Sequence, residues 1–353
     1  MGQKYSPLKI FHYPHKLASL PRNSPDITAP LHIRIKPTNM CSHDCWYCAY
    51  RVSSLQLGQD MNIRDRIPPD KMREIIQDII DMGVKAVTFS GGGEPFLYKP
   101  LLETVKTLAD SPVKFATLTN GQLLNGEIAE VFAFHGSWVR ISIDGWDDAS
   151  YARYRGIKEG IFTQVLNNME HFKKLGGDCF LGISLIVDEK NADHIVPLMS
   201  ELKSRGVDSV KVAPCIVSND GAAVNQYHAP FFQRVREHIE EMKVTLADEQ
   251  FEIFDAYHEI THKFQKDYDW CPYVQVLPII GADLNIYSCQ DKAYTKDGTL
   301  GSIQTMRFKD FWFSDKNTFF QVNPMEHCQH HCVANLKNQE ILSYLNLEHK
   351  EFV

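Results

Sequence analysis

The sequence predicts an α/β protein, an open partial (β/α)6 barrel followed by a small cysteine-rich C-terminal domain. Three observations carry this. From residue 31 onward, short β-branched apolar runs alternate with longer stretches of helical periodicity, the pattern of βα units around a parallel sheet. The alternation stops after Val217, which leaves too few units for an eight-stranded closed barrel. From Trp270 the chain becomes short-stranded and turn-rich, with Cys271, Cys289, Cys328 and Cys332 distributed along it.

Residues 1–30 read as an N-terminal extension and 31–225 as the barrel. Strands are expected at 31–36, 86–90, 114–119, 138–144, 180–187 and 209–213, where apolar and β-branched residues cluster. Helical spacing covers 69–82, 101–109, 162–175 and 192–204, the last behind Asn191 as an N-cap. A polar stretch, Ser218 to His228, leads to a helix from Pro230 to about Leu246, within a helical connection over 226–265. An auxiliary domain over 266–340 follows, with turns at Gly281-Ala282-Asp283 and Lys296-Asp297-Gly298, and then a tail over 341–353. In an open sheet of this kind, functional groups belong at the C-terminal ends of the strands.

Composition narrows the function. The 353 residues are 44% hydrophobic and 23% charged, ordinary for a globular chain. Lys plus Arg number 37 against 44 Asp plus Glu, for a formal charge of -7, with no basic stripe to neutralise a phosphate backbone, so no nucleic-acid partner is expected. No apolar run reaches the ~18 residues of a membrane span, and no signal-peptide core follows Met1, so a cytoplasmic, membrane-free protein is expected. Nine cysteines is a high count, seven of them in two groups, and in that compartment grouped cysteines read as metal ligands or catalytic thiols rather than disulfides.

The first group, Cys41-Ser42-His43-Asp44-Cys45-Trp46-Tyr47-Cys48, follows the first strand directly. Three thiolates in one loop can take three corners of an iron-sulfur cluster, leaving a fourth iron open to the amino and carboxylate groups of a methionine moiety. The competing readings are a zinc site with His43 or a later residue as fourth ligand, and a chance grouping of buried thiols.

With its aromatic Tyr47 inside the CxxxCxxC spacing, this loop resembles that of the radical S-adenosylmethionine (SAM) superfamily, and later segments strengthen the resemblance in order. Ser90-Gly91-Gly92-Gly93-Glu94-Pro95 is similar to the family's GGE motif, which implies that Gly92, Gly93 and Glu94 hold the methionine amino group. Thr119 and Asn120, with Ser142 and Asp144, resemble the segments that line the SAM site, Ser142 at the position touching the methionine carboxylate. Arg155 resembles the arginine that pairs with this carboxylate, with Arg153 as the competing choice; Tyr47 is implied to pack near the adenine. The cofactors implied are a SAM-binding [4Fe-4S] cluster and SAM, with an external electron donor such as flavodoxin or ferredoxin. The reaction implied is formation of a 5'-deoxyadenosyl radical that abstracts a substrate hydrogen atom.

Cys271, Cys289, Cys328 and Cys332 suffice for a second [4Fe-4S] cluster or for one zinc ion, the histidines at 327, 330 and 331 keeping zinc open. Behind such a barrel they resemble the twitch domain, the short form of the SPASM auxiliary-cluster domain. That family commonly has glycine five residues before its second auxiliary cysteine, where this chain has Leu284. The leading expectation is an oxidoreductase that dehydrogenates a small polar metabolite, the auxiliary cluster accepting an electron. The alternatives are an epimerase using Cys215 as hydrogen-atom donor, a peptide-modifying enzyme, and a non-catalytic iron-sulfur or zinc protein. A small-molecule substrate is favoured over a peptide because only about thirty residues precede the first strand, where peptide modifiers commonly carry a leader-binding domain. Cys179, ahead of the fifth strand, reads as structural.

Overall fold

All six expected strands form, and a single sheet holds them. The structure, a computed structural model, describes residues 4–352 except 53, 54, 56 and 259–262. The strands are β1 (His32–Ile35), β2 (Ala86–Phe89), β3 (Lys114–Thr119), β4 (Trp138–Ile143), β5 (Phe180–Val187) and β6 (Ser209–Pro214), each parallel to the next. A further strand, β7 (Glu252–Asp255), continues the parallel order beside β6. Its four residues, Glu-Ile-Phe-Asp, carry almost no local signal, so pairing with β6 decides its conformation. This strand falls inside the stretch expected to be a helical connection, part of which, 259–262, lies outside the described residues.

On the other side of β1 the C-terminal region joins the same sheet. β8 (Ile279–Ile280) pairs in parallel with β1, and β9 (Asn285–Tyr287) and β10 (Thr299–Ser302) follow antiparallel, giving the order β10-β9-β8-β1-β2-β3-β4-β5-β6-β7. The cysteine-bearing segment is therefore continuous by hydrogen bonds with the barrel sheet.

Helices α1 (Pro14–Ser19), α2 (Pro69–Asp81), α3 (Leu101–Ala109), α4 (Gly126–His135), α5 (Asp148–Arg155), α6 (Ile161–Lys174) and α7 (Ile195–Ser204) precede the long α8 (Gly221–Thr245). The short α9 (Phe308–Trp312) and α10 (Pro324–His327) lead to α11 (Asn335–Leu345), whose Ile341 packs with Ile10, Leu17 and Leu20 of the N-terminal segment. Among the described residues no helix is long and apolar enough to cross a membrane.

Two local expectations are corrected. Asn191 does not cap a helix, because α7 starts at Ile195. Its amide instead donates to the carbonyls of Asp144 (2.9 Å) and Ile186 (2.8 Å) and tethers the ends of β4 and β5. The polar stretch before Pro230 is not a loop: α8 begins at Gly221, where Asp220 accepts the Ala222 N–H at 2.9 Å, and runs through Pro230. Buried Val224, His228, Phe231, Val235, Ile239 and Met242 recur every three or four residues across the proline, and their burial outweighs the lost helical bond.

Strand alternation sorts side chains between two faces. Ile33, Ile35, Val139, Ile141, Val210 and Val212 join the core under the helices. The residues between them, among them Arg34, Lys36, Arg140, Ser142 and Lys211, occupy the inward face, where a filled barrel would hold bulky branched residues. Pro230→Ala restores an N–H in the interior of α8 and is expected to raise the unfolding free energy by about 1–3 kcal/mol, read from urea denaturation; an unchanged or lower value would contradict the account of α8.

Candidate active site

β1 ends at Ile35, and the chain turns through Lys36 into the first cysteine loop. Cys41, Cys45 and Cys48 are free and half-buried. The loop is pinned to the end of α5: the Asp44 N–H donates to the Arg155 carbonyl (2.7 Å) and the Trp46 N–H to that of Tyr154 (3.3 Å). Gly156 makes this approach possible, with φ at +58°; a Cβ there would lie 2.9 Å from the Asp44 carbonyl. Burial pushes the Cys45 thiol up to about 11, opposed by the neighbouring Arg155 guanidinium, and burial also raises Cys41.

The Gly91–Gly93 turn lies against this loop. A Cβ on Gly92 would stand 2.3 Å from Asn39 Oδ1, and one on Gly93 2.0 Å from the Met40 carbonyl, which accepts the Glu94 N–H at 2.8 Å. Glu94 is buried and ties β2 to β3: it accepts from the Thr119 hydroxyl (2.7 Å), the Asn120 N–H (2.7 Å) and the Phe96 N–H (3.1 Å). Burial raises its carboxyl above the ordinary range, and these donors hold it back. A carboxylate has about four acceptor sites, so one remains for a ligand ammonium.

Arg155 and Asp144 form a buried ion pair, Nε to Oδ1 at 3.0 Å. Arg155 Nη2 donates to the Ser142 carbonyl (2.9 Å), and Nη1 lies 3.6 Å from Cys45 Sγ. Asp144 also accepts from the Tyr47 hydroxyl and the Gly145 N–H (2.8 Å). Arg153, the competing arginine, is exposed. His43 is buried edge-on to Tyr151, its imidazole pushed down to about 3 by burial and by Arg155. Thus Cys45, Tyr47, Ser142, Asp144 and Arg155 meet in one place, with Glu94, Thr119 and Asn120 at the adjoining strand ends. Three half-buried thiols in one loop, one of them beside a fixed guanidinium, and a buried carboxylate with an acceptor site to spare fit the donor set of a cluster with SAM at its open iron.

The sequence reading missed Lys36. It is buried, and its ammonium donates to the Tyr50 hydroxyl (2.6 Å) and the Gly91 carbonyl (2.8 Å), joining loop and cradle. The available signal was a lysine in phase with Arg34 between outward isoleucines. On the other side, Tyr50 accepts from Gln290, and Arg34 Nη1 donates to Gln290 Oε1 at 2.8 Å. Gln290 follows Cys289. Burial raises the thiols of Cys271, Cys289, Cys328 and Cys332, and each also feels the charge of at least one of the others or, for Cys271, accepts from Asn338 at 3.1 Å. Among the described residues no three His, Cys, Asp or Glu side chains gather as the ligands of one metal ion would. Leu284 has φ at +65°, the left-handed conformation that glycine favours, so the turn keeps that geometry with a side chain present.

Cys215, past the end of β6, is buried, and burial pushes its thiol up to about 12. Its carbonyl lies 3.0 Å from His228 Nε2, which must donate, leaving Nδ1 to accept from Tyr257 at 3.0 Å. Cys179 is buried in the main core.

Residues 35–202 match the model of the radical SAM superfamily. GTP 3',8-cyclase of Vibrio cholerae serotype O1 is 27% identical over 184 residues, 50% of this chain and 52% of that protein. The chain thus spans about half the length of that relative. The crystal structure of Streptococcus suis SuiB bound to S-adenosylmethionine superposes with a TM-score of 0.61 at 16% identity, covering 83% of this chain and 67% of that one. Native anSMEcpe with bound AdoMet gives 0.57 at 18% identity, covering 86% and 89%. These likenesses establish the fold.

Gly93→Ala is expected to cost about 1–3 kcal/mol of stability through its clash with the Met40 backbone. Gly83→Ala, where φ is +72° but nothing lies within 4 Å, is expected to cost about 1 kcal/mol from conformation alone. Equal melting temperatures for the two variants would refute the close-packed cradle.

Proposed function

The chain belongs to the radical SAM superfamily through residues 35–202, and on that premise we propose that it oxidises a small polar molecule by two electrons, using a second [4Fe-4S] cluster as the first electron acceptor. When bound, the first cluster, reduced by a donor such as flavodoxin or ferredoxin, supplies the electron that splits SAM into methionine and a 5'-deoxyadenosyl radical. One substrate hydrogen atom would complete 5'-deoxyadenosine, and loss of a proton and a second electron from the substrate, the electron passing to a cluster held by the second thiol group, would complete the two-electron oxidation.

This chain's residues hold and orient. Cys41, Cys45 and Cys48 would hold the first cluster, and Cys271, Cys289, Cys328 and Cys332 the second. The Gly91–Gly93 backbone and the remaining acceptor site of Glu94 take the methionine ammonium. Ser142 and the unused N–H groups of Arg155 take its carboxylate, and Tyr47 flanks the adenine. The observation that carries oxidation is the link between the two thiol groups: Gln290 beside Cys289 donates to Tyr50 of the first loop, and the pair is held by Arg34 of β1 and by Lys36 just past its end. A cluster held by the second thiol group would thus stand across a single strand from the initiating loop.

Epimerisation is the second reading, favoured by Cys215. A thiol raised to about 12 stays protonated at neutral pH, the form that gives up a hydrogen atom.

Anaerobic reconstitution is expected to load about eight irons per chain, and about four in Cys289→Ala, four per cluster. Reduction with SAM present is expected to release 5'-deoxyadenosine; none formed by fully loaded protein would sink the radical reading. Cys215→Ala is expected to leave substrate oxidation intact, whereas a variant that makes 5'-deoxyadenosine yet no longer turns over substrate would favour epimerisation.

A further inference from the structure

The inward face of the barrel carries cations that the proposed chemistry leaves unused. Lys36 is committed to Tyr50 and Gly91, but Arg34, Arg140 and Lys211 are not satisfied in this way. Arg140 gives one Nη2 bond to the Tyr5 hydroxyl, and its Nε is buried without a partner among the described residues. Arg34 Nε is in the same condition. The Lys211 ammonium has no hydrogen-bond acceptor among the described residues and lies over the rings of Phe254 (5.6 Å) and Tyr5 (5.8 Å), which pack 4.3 Å apart. Burial, with Arg140, Lys263 and Lys337 close by, pushes Lys211 down to about 8.

Space accompanies the charge. The position of a Cβ on Gly182 lies 3.2 Å from Ser209 Oγ and 3.8 Å from Arg140 Nε, so glycine leaves the volume beside both groups open. Ser209 Oγ is also buried without a partner among the described residues. Arg34 sits deep in the molecule yet keeps accessible surface, as a residue bordering an internal space does. Donors without acceptors in such a place cost stability unless a ligand satisfies them. The acid whose charge reaches Arg34 is Asp291, itself raised by burial. Arg34 and Lys36 share the charge of Asp291, and Arg140, Lys263 and Lys337 surround Lys211, so positive charge is in excess here and suits a ligand of at least two negative charges, which a phosphate supplies and a single carboxylate does not. Two strand residues span about 7 Å, so Arg140 lies one layer below Ser142 on the same face of β4.

We propose that Arg140, Ser209 and Lys211, with Arg34 nearby, form a phosphate-binding subsite inside the barrel, and that the substrate is a phosphate-bearing small molecule whose reacting carbon points to the strand ends. The word substrate rests on the proposed function; the anion site rests on the geometry alone.

Isothermal titration of the cluster-loaded protein with inorganic pyrophosphate tests it, with malonate as the dicarboxylate probe. Pyrophosphate is expected to bind wild type and the exterior control Lys85→Met alike, and about tenfold or more weaker to Lys211→Met and Arg140→Gln. Lys211→Arg, which keeps the charge, is expected to retain binding and stands in if Lys211→Met does not fold. No pyrophosphate binding by wild type, equal affinity in the interior variants, or malonate binding as tight as pyrophosphate would overturn the proposal. A protein that binds pyrophosphate but forms no 5'-deoxyadenosine refutes the proposed function alone. One that forms 5'-deoxyadenosine without binding pyrophosphate refutes the subsite alone.

Discussion

The buried ion pair of Arg155 with Asp144 is the constraint on which the site depends. Charges taken out of water are costly unless their remaining hydrogen-bonding capacity is met, and removing one partner of such a pair costs about 3–5 kcal/mol. Here Asp144 also receives Tyr47 and the Gly145 N–H, and Arg155 also reaches the Ser142 carbonyl and Cys45 Sγ. The pair therefore sets the cysteine loop, the end of β4 and the end of α5 relative to one another. Asn191 extends the lock to β5 by holding the Asp144 carbonyl. Cys45 is positioned by residues about a hundred positions downstream, and the Gly156 turn permits that contact.

The sheet supplies the second constraint. Because β8 pairs with β1, the strand that delivers the first cysteine loop also anchors the segment between Cys271 and Cys289. Hydrogen-bonded strands lie about 4.8 Å apart, a separation that loops on a mobile domain would not maintain. A path from one thiol group to the other through Tyr50, Lys36, Arg34 and Gln290 follows from that pairing and from the inward phase of the two cations. The same alternation gives the barrel a mixed interior. Core aliphatic residues face the helices on the outer side, and the inner face carries Arg34, Arg140, Lys211, Ser142, Ser209 and Gly182 among Leu118, Trp138, Phe180 and Phe254.

Residues adjacent in sequence made much of this legible. The bounds of β3, β5 and α3 agree with the periodicity, since each is a self-contained run with turns at both ends. The cysteine spacing, the glycine cradle and the choice of residues at the ends of β3 and β4 were likewise visible, because each is a short motif at a strand end. Where local signals misled, a tertiary contact won. Asn191 looked like a cap and became a tether between strands, and Pro230 looked like a start and became the middle of α8, because burial of one helix face exceeds the cost of one missing bond.

By itself, then, the sequence determined the βα alternation, the two cysteine groups and the kind of chemistry that a CxxxCxxC loop beside a glycine cradle can carry. Only the tertiary structure decided that Arg155 rather than Arg153 enters the site, that β7 and β8 extend the sheet, and that Arg34 meets Gln290, 256 residues away. The physical reason is range. Periodicity and caps act over a few residues, whereas strand pairing and buried charge compensation act between segments that only the folded chain brings together.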